Sequence, residues 1–195
     1  TTNSRIEGIE GASSVDADPY NQAQVNAELA LTQVPENAKV VVLKGPSGNF
    51  HADQRRIAWQ EVFFDQRPDV QIVGEDFANW NKDEAMALME DWTTAHGKID
   101  AGALEVVKGN PTYKDMLVYG VDGTAEACLL IQDGSMTSTC LQSAIDLAAL
   151  NLDTVHKLLT GEETQIDTDI EEVLITADNV DEYVEMYKKN GQITE

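Results

Sequence analysis

Leu117-Val-Tyr-Gly-Val-Asp-Gly-Thr-Ala-Glu-Ala-Cys-Leu-Leu-Ile-Gln-Asp-Gly134 joins an apolar strand to a helix through a turn that carries one acid. Leu117, Val118, Tyr119 and Val121 predict a buried strand, Gly120 and Gly123 supply backbone freedom, and Thr124 is placed to cap a helix running to Ile131. The Asp122 carboxylate then stands at the carboxyl end of a strand, the edge of an open α/β sheet where ligands bind. Read locally, this acid either meets a ligand or satisfies loop amides.

The same alternation extends in both directions. Residues 1–18 are polar and read as an extended or loop entry, after which Asp18 and Pro19 open a helix over Tyr20–Thr32 with Val25, Leu29 and Leu31 on or near one side. The spacing Asp16-x-Asp18-x-Tyr20 resembles a calcium loop only superficially, because Asn21 and Ala27 stand where that loop needs glycine and glutamate. Lys39-Val-Val-Val-Leu-Lys44 is a β-branched run of the kind buried in a parallel sheet, and Gly45-Pro-Ser-Gly48 ends it. The helix that follows offers Ile57, Trp59, Val62 and Phe63 for packing. Val70–Val73 restarts a strand, Glu75–Asn81 reads as a loop, and Lys82–Thr94 as a helix with Ala85, Leu88, Met89 and Trp92 inward.

Tyr113–Val121 and Met136–Leu141 predict strands, Ser143–Leu159 a helix, Val173–Ile175 a last strand, and Asp178 the cap of a closing helix to about Lys189. Strands alternating with long helices specify an α/β fold with three αβα layers around a doubly wound, mostly parallel sheet. One joint is anomalous: Lys98–Ala101 begins a strand, yet 102–108 already reads as helix. A strand of about three residues and a turn of about one fall short of the usual ~5–6 and ~2–6. Either the segment is unusual or residues of the parent protein are missing from it.

Length and charge narrow the function. A chain of 195 residues that is 42% hydrophobic can bury one core with a smaller appendage. Its formal charge of -22, from 35 acids against 13 bases, argues against a phosphate backbone or an anionic membrane as partner. No stretch approaches the ~18–20 apolar residues of a membrane span. Cys128 and Cys140 are placed for either a bridge or two buried thiols. No spacing of Cys, His or acids suggests a metal, no cofactor is indicated, and the three histidines, His51, His96 and His156, lie in separate segments, so no catalytic set is evident.

The order of landmarks resembles the ribose/galactose-type (type I) periplasmic binding proteins of bacterial sugar ABC transporters. Gly45-Pro-Ser-Gly-Asn49 followed by Asp53-Gln-Arg55 and Trp59 is similar to that family's G-x-x-G…R-x-x-G-F segment, with Ala58 in place of glycine. Leu117–Gly134 is similar to its G-x-D-G-T…I-x-x-G segment, Thr137–Gln142 to the next strand, and Asn179–Tyr183 to its closing motif. The resemblance covers the chain from about Lys39 onward. It implies the second of two lobes, with 1–142 as the ligand-binding lobe, 143–172 as a crossover that packs on the first lobe, and 173–195 as return strand and closing helix. Relatives carry an N-D-x-M-A segment at the anomalous joint, which supplies a sugar-binding asparagine that is absent here.

The resemblance further implies ligand contacts at Arg55, Trp80, Asp122 and Gln142. Asn49 and Phe50, with His51, flank the same mouth. A neutral polyhydroxy ligand needs paired donors and acceptors plus an aromatic plate, which is what a guanidinium, a carboxylate, an amide and an indole supply. Each has a structural alternative: Arg55 could pair with Asp53 or an acidic neighbour, and Gln142 could be a hinge residue. The implied function is non-catalytic capture of a monosaccharide or polyol outside the cytoplasm for a membrane ABC permease. The alternative is the effector lobe of a LacI-type transcription regulator, and a third reading is a receptor ectodomain. On the helix at 144–159, Ile145, Leu147, Leu150, Leu152 and Leu158 are expected to contact the first lobe, another chain or a repacked edge of this one.

Overall fold

The computed structural model describes residues 1–3, 9–102 and 115–194. Ser14–Asp16 (β1) leads into Pro19–Gln33 (α1), whose N-terminus is held by Asp18: its carboxylate accepts from the amides of Tyr20 and Asn21. Lys39–Lys44 (β2) ends at Gly45, and Asn49 caps Phe50–Ala58 (α2) by accepting from the Ala52 amide. That helix widens into a π-helical turn at Trp59–Phe64 before Gln71–Phe77 (β3) and Lys82–His96 (α3). Tyr119–Asp122 (β4), Ala125–Gln132 (α4) and Ser138–Leu141 (β5) follow the expected order. Ala144–Thr160 (α5), Asp167–Asp169 (β6), Val173–Ile175 (β7) and Val180–Lys189 (α6) complete the described chain.

β2 pairs with β3 and β4 with β5, all parallel, while β7 runs antiparallel to β5. The two groups are joined at Ala101, which bridges Val40 on one side and Leu117 on the other. The short strand of the anomalous joint is thus real, and it occupies the middle of the sheet. The helix expected over 102–108 lies outside the described residues except for Gly102, as do Tyr113 and Lys114 of the expected strand.

Alternate residues divide the sheet between two helical layers, as a period of two requires. Val40, Ala101, Leu117 and Tyr119 pack with Ala27 and Ala30 of α1, with Val34 just after it and with Phe63. Val41, Met116 and Val118 face Met89 and Trp92 of α3 on the opposite side. On that second side α4 and α6 enclose Cys128, Ile131, Ile175, Val180 and Val184. This is the expected three-layer αβα arrangement.

Several local expectations are corrected. The entry read as extended or loop contains β1, whose pairing was not foreseen: it runs parallel to β6, about 150 residues away in sequence, and Val15 and the adjoining Ala17 pack against Leu147 of α5 and Ile170. A three-residue strand has no periodicity to read, so only its distant partner reveals it. β3 extends through Phe77 into the predicted loop. The face of α1 that is fully buried carries Gln22, Ala23, Asn26, Ala27 and Ala30, whereas Val25 and Leu29 are half-buried. Small side chains win there because α1 lies directly against α2 and the sheet. Asn179, in place of Asp178, is the residue before α6. Its side chain instead holds the preceding turn, accepting from the Thr176 amide and donating to the Leu174 carbonyl. Cys128 and Cys140 are both free and buried, so the bridge is excluded.

Candidate functional site

The site is built on carboxyl ends of parallel strands. Asp122 closes β4 with φ at +82°, a left-handed conformation that a side chain disfavours, followed by Gly123 at +62°. Thr124 then caps α4 through the Ala127 amide. This turn sends the chain into α4 while leaving the Asp122 carboxylate more than half exposed. Backbone strain of this kind clusters at functional sites, which keeps Asp122 a candidate.

Arg55 reaches the same place from α2. Its Nη2 donates to Gln142 Oε1 at 3.1 Å and to Gln22 Oε1 at 2.8 Å, and it lies 3.9 Å from Asp122 Oδ1. Burial lowers the guanidinium pKa from its ordinary value. Opposing that shift are the charges of Asp122 first and of Asp16. The group stays cationic, since arginine does not deprotonate in proteins. Its Nε is buried without a hydrogen-bond partner among the described residues. Arg55 therefore keeps donor capacity beyond the two amides that hold it. Of the expected alternative partners, Asp53 is exposed with no bond to Arg55 among the described contacts, and the acidic neighbour is Asp122 itself.

Gln142 follows β5, where the chain leaves the main sheet for α5. Its Oε1 receives Arg55 and also Gln22 Nε2 at 3.3 Å, and its Nε2 donates to Asn3 at 2.9 Å. Trp80 lies 61% exposed at a φ of +55°. Its indole rests on the backbone of Gly45, where a Cβ would stand 2.7 Å from Cε2 and 2.9 Å from the Ala52 Cβ. Asn49 spends its side-chain oxygen on capping α2, and Phe50 is exposed, edge-on to His51 with ring centroids 5.8 Å apart.

Arg55, Asp122 and Gln142 are thus brought together directly. Trp80 shares with Arg55 alone of these three a cavity of about 590 Å³ between β2 and β4, lined also by Gly45, Tyr119, Gly120 and Asn26 among others. Asp122, Gln142, Asn49 and Phe50 are not part of its described lining.

Three polar residues escaped the sequence reading. Gln22 and Asn26 lie one turn apart on the buried face of α1. Asn26 donates to the Gly120 carbonyl at 2.9 Å and accepts from Ser138 Oγ at 2.7 Å, pinning α1 to β4 and β5. Asp16, buried at the end of β1, accepts from the Ala17 amide at 2.9 Å and from His51 Nε2 at 3.2 Å. The available signal was a polar i, i+4 pair among alanines, which marks a buried polar stripe once the alanine face is recognised as the inner one.

Residues 1–163 match the family described as the periplasmic binding protein domain. The chain belongs to that family. Among relatives of this periplasmic binding protein domain, the xylitol-binding protein of Mycolicibacterium smegmatis is 25% identical over 194 residues, covering 94% of this chain and 55% of that protein. The ribose import binding protein of Escherichia coli is 24% identical over 166 residues, covering 80% of this chain and 55% of its own length. The chain therefore spans about half the length of these relatives. Among solved structures, an ABC transporter solute-binding protein of Bacillus halodurans with bound myo-inositol superposes with a TM-score of 0.83 at 22% identity, covering 95% of this chain and 68% of that one. At that identity the likeness establishes the fold.

Proposed function

We propose that this periplasmic binding protein domain is the ligand-contacting part of a solute-binding protein for bacterial ABC uptake of a monosaccharide or polyol. The supporting observation is the convergence of Arg55, Asp122 and Gln142, within hydrogen-bond or ion-pair reach of one another, beside the exposed indole of Trp80. Arg55 offers a planar fork to adjacent hydroxyls, Asp122 accepts from them, Gln142 does both, and Trp80 covers a C–H face. Nothing in this set is a nucleophile with its base, so the role is capture without chemistry. Asn49 acts through α2, which it caps, and Phe50 borders the mouth.

In this reading residues 1–142 and 173–195 make one lobe and 143–172 crosses away from it; the pairing of β1 with β6 adds the end of the entry segment to the crossing. The outer face of α5 packs on the remaining part of a two-lobed protein, which closes on its ligand outside the cytoplasm and is presented to a membrane permease. Among the described residues no helix is long and apolar enough to cross a membrane.

Thermal melts against D-ribose, D-allose, xylitol and myo-inositol test the reading. A ligand at about a hundred times its Kd adds about 2.7 kcal/mol, which for this size raises Tm by roughly 5–10 °C. Arg55→Met is expected to remove that rise while remaining folded. No rise with any sugar or polyol overturns the proposal.

A further inference from the structure

We propose that Gln22 is a positioning residue that holds the Arg55 guanidinium short of Asp122, so that both charged groups stay open to ligand hydroxyls; the inference rests on the sugar-binding reading. Gln22 lies on the inner face of α1 and is 1% exposed. One turn further on, Asn26 ties that face to the Gly120 carbonyl of β4 and to Ser138 of β5, so Gln22 stands on a helix locked onto the sheet. Its Oε1 accepts from Arg55 Nη2 at 2.8 Å, and its Nε2 donates to Gln142 Oε1 at 3.3 Å. The guanidinium forces this orientation of the amide, because the reversed one would set N–H groups against N–H groups.

The hydrogens on Nη2 decide what reaches Asp122. A guanidinium nitrogen of this kind carries two. One goes to Gln22, and the other to Gln142 Oε1 at 3.1 Å. Asp122 Oδ1, at 3.9 Å from the same nitrogen, meets the charge of Arg55 but receives no hydrogen from Nη2. A closed arginine–carboxylate pair forms at about 2.8 Å and is the stronger bond. It would occupy the carboxylate that the sugar-binding reading assigns to ligand hydroxyls. The two amide oxygens hold the guanidinium back from that closure, and the Asp122 side chain is 57% exposed.

Two substitutions separate a hold on Arg55 from a brace for Gln142. Glutamate has the shape of glutamine and keeps an oxygen for Nη2, but has no N–H for Gln142; leucine keeps neither. In Gln22→Leu, Nη2 loses its shorter hydrogen bond while Asp122 stands within ion-pair reach. A ligand then has to break the Arg55–Asp122 pair before it can use either group.

Isothermal titration of the full chain with D-ribose, D-allose, xylitol and myo-inositol is the test, run on wild type, Gln22→Leu, Gln22→Glu, Asp122→Asn and the Gln22→Leu/Asp122→Asn double variant. Gln22→Leu is expected to weaken binding about tenfold, with Gln22→Glu within about threefold of wild type. Asp122→Asn is expected to cost about tenfold alone but less than about threefold on top of Gln22→Leu, because there the carboxylate is already engaged. Gln22→Met, which keeps the length of the side chain without its amide, replaces Gln22→Leu should the latter not fold. Wild-type affinity in Gln22→Leu, equal loss in Gln22→Leu and Gln22→Glu with both folded, or independent losses in the double variant overturns the proposal. If wild type binds none of the panel, the sugar-binding reading fails, and a crystal structure of ligand-free Gln22→Leu decides the positioning on its own. Arg55 closed onto Asp122 at about 2.8 Å upholds it, and a guanidinium still 3.9 Å away overturns it.

Discussion

Cys128 on α4 and Cys140 on β5 are thiols without thiolate character. Burial pushes the Cys128 pKa up to about 11 and, with the nearby Glu172 charge adding to it, Cys140 up to about 12, from an ordinary 9.0. Because only the thiolate is nucleophilic, the native protein at pH 8 is expected to resist iodoacetamide at both positions and to take two labels once unfolded in urea. Mass spectrometry reads the difference. The pH dependence has a fixed sign: folding favours the protonated thiols, so their contribution is fully present below about pH 9. It is lost as pH rises through the folded values near 11 and 12. At the same scale, Asp122 could be recognised as a candidate from its place after a strand. Gln142 was a candidate through the family resemblance, but its meeting with Gln22 at Arg55 could not be read, because Gln22 and Gln142 are separated in sequence by 120 positions and meet only through packing.

At the scale of elements, helix starts are governed by single side chains, and two of them make opposite predictions. Asp18 accepts from Tyr20 N at 2.9 Å and Asn21 N at 3.1 Å, so Asp18→Ala is expected to cost about 1 kcal/mol in urea unfolding. Asp178 looks like an equivalent cap in sequence, yet Asn179 precedes α6 and its side chain serves the turn after β7. Asp178→Ala should therefore stay within about 0.5 kcal/mol of wild type. The cap at Thr124 and the strand-turn-helix before it were legible because their signals lie within a few residues. β1 was not, since a strand of three residues is defined by β6 rather than by its own composition.

For the whole molecule the unresolved demand is the outer face of α5. Ile145, Leu152 and Leu159 recur every seven residues and are 64%, 73% and 83% exposed. Leu147 and Thr154 are turned inward, with Leu147 packed against β1 and Ile170. In the two-lobed reading proposed above this stripe meets the rest of the protein, since each large apolar side chain taken out of water contributes about 1.5–3 kcal/mol. Replacing Leu152 and Leu159 together by glutamate is expected to leave the Tm of the chain within about 2 °C, because neither side chain supports its core. A large fall in Tm would place these leucines in the core of this chain instead.

Periodicity and punctuation in the sequence determined the αβα layering, the order of strands and helices, and the acid at the end of β4, because those signals are local and repeat at fixed spacing. Ala101 could be seen to begin a strand, but its place between Val40 and Leu117 at the centre of the sheet needed the tertiary structure. So did the burial of Gln22, Asn26 and Asp16. A polar side chain is stable inside a fold only when distant groups meet its hydrogen bonds, and those partners are fixed by the packing of α1, α2 and the sheet, not by neighbours along the chain.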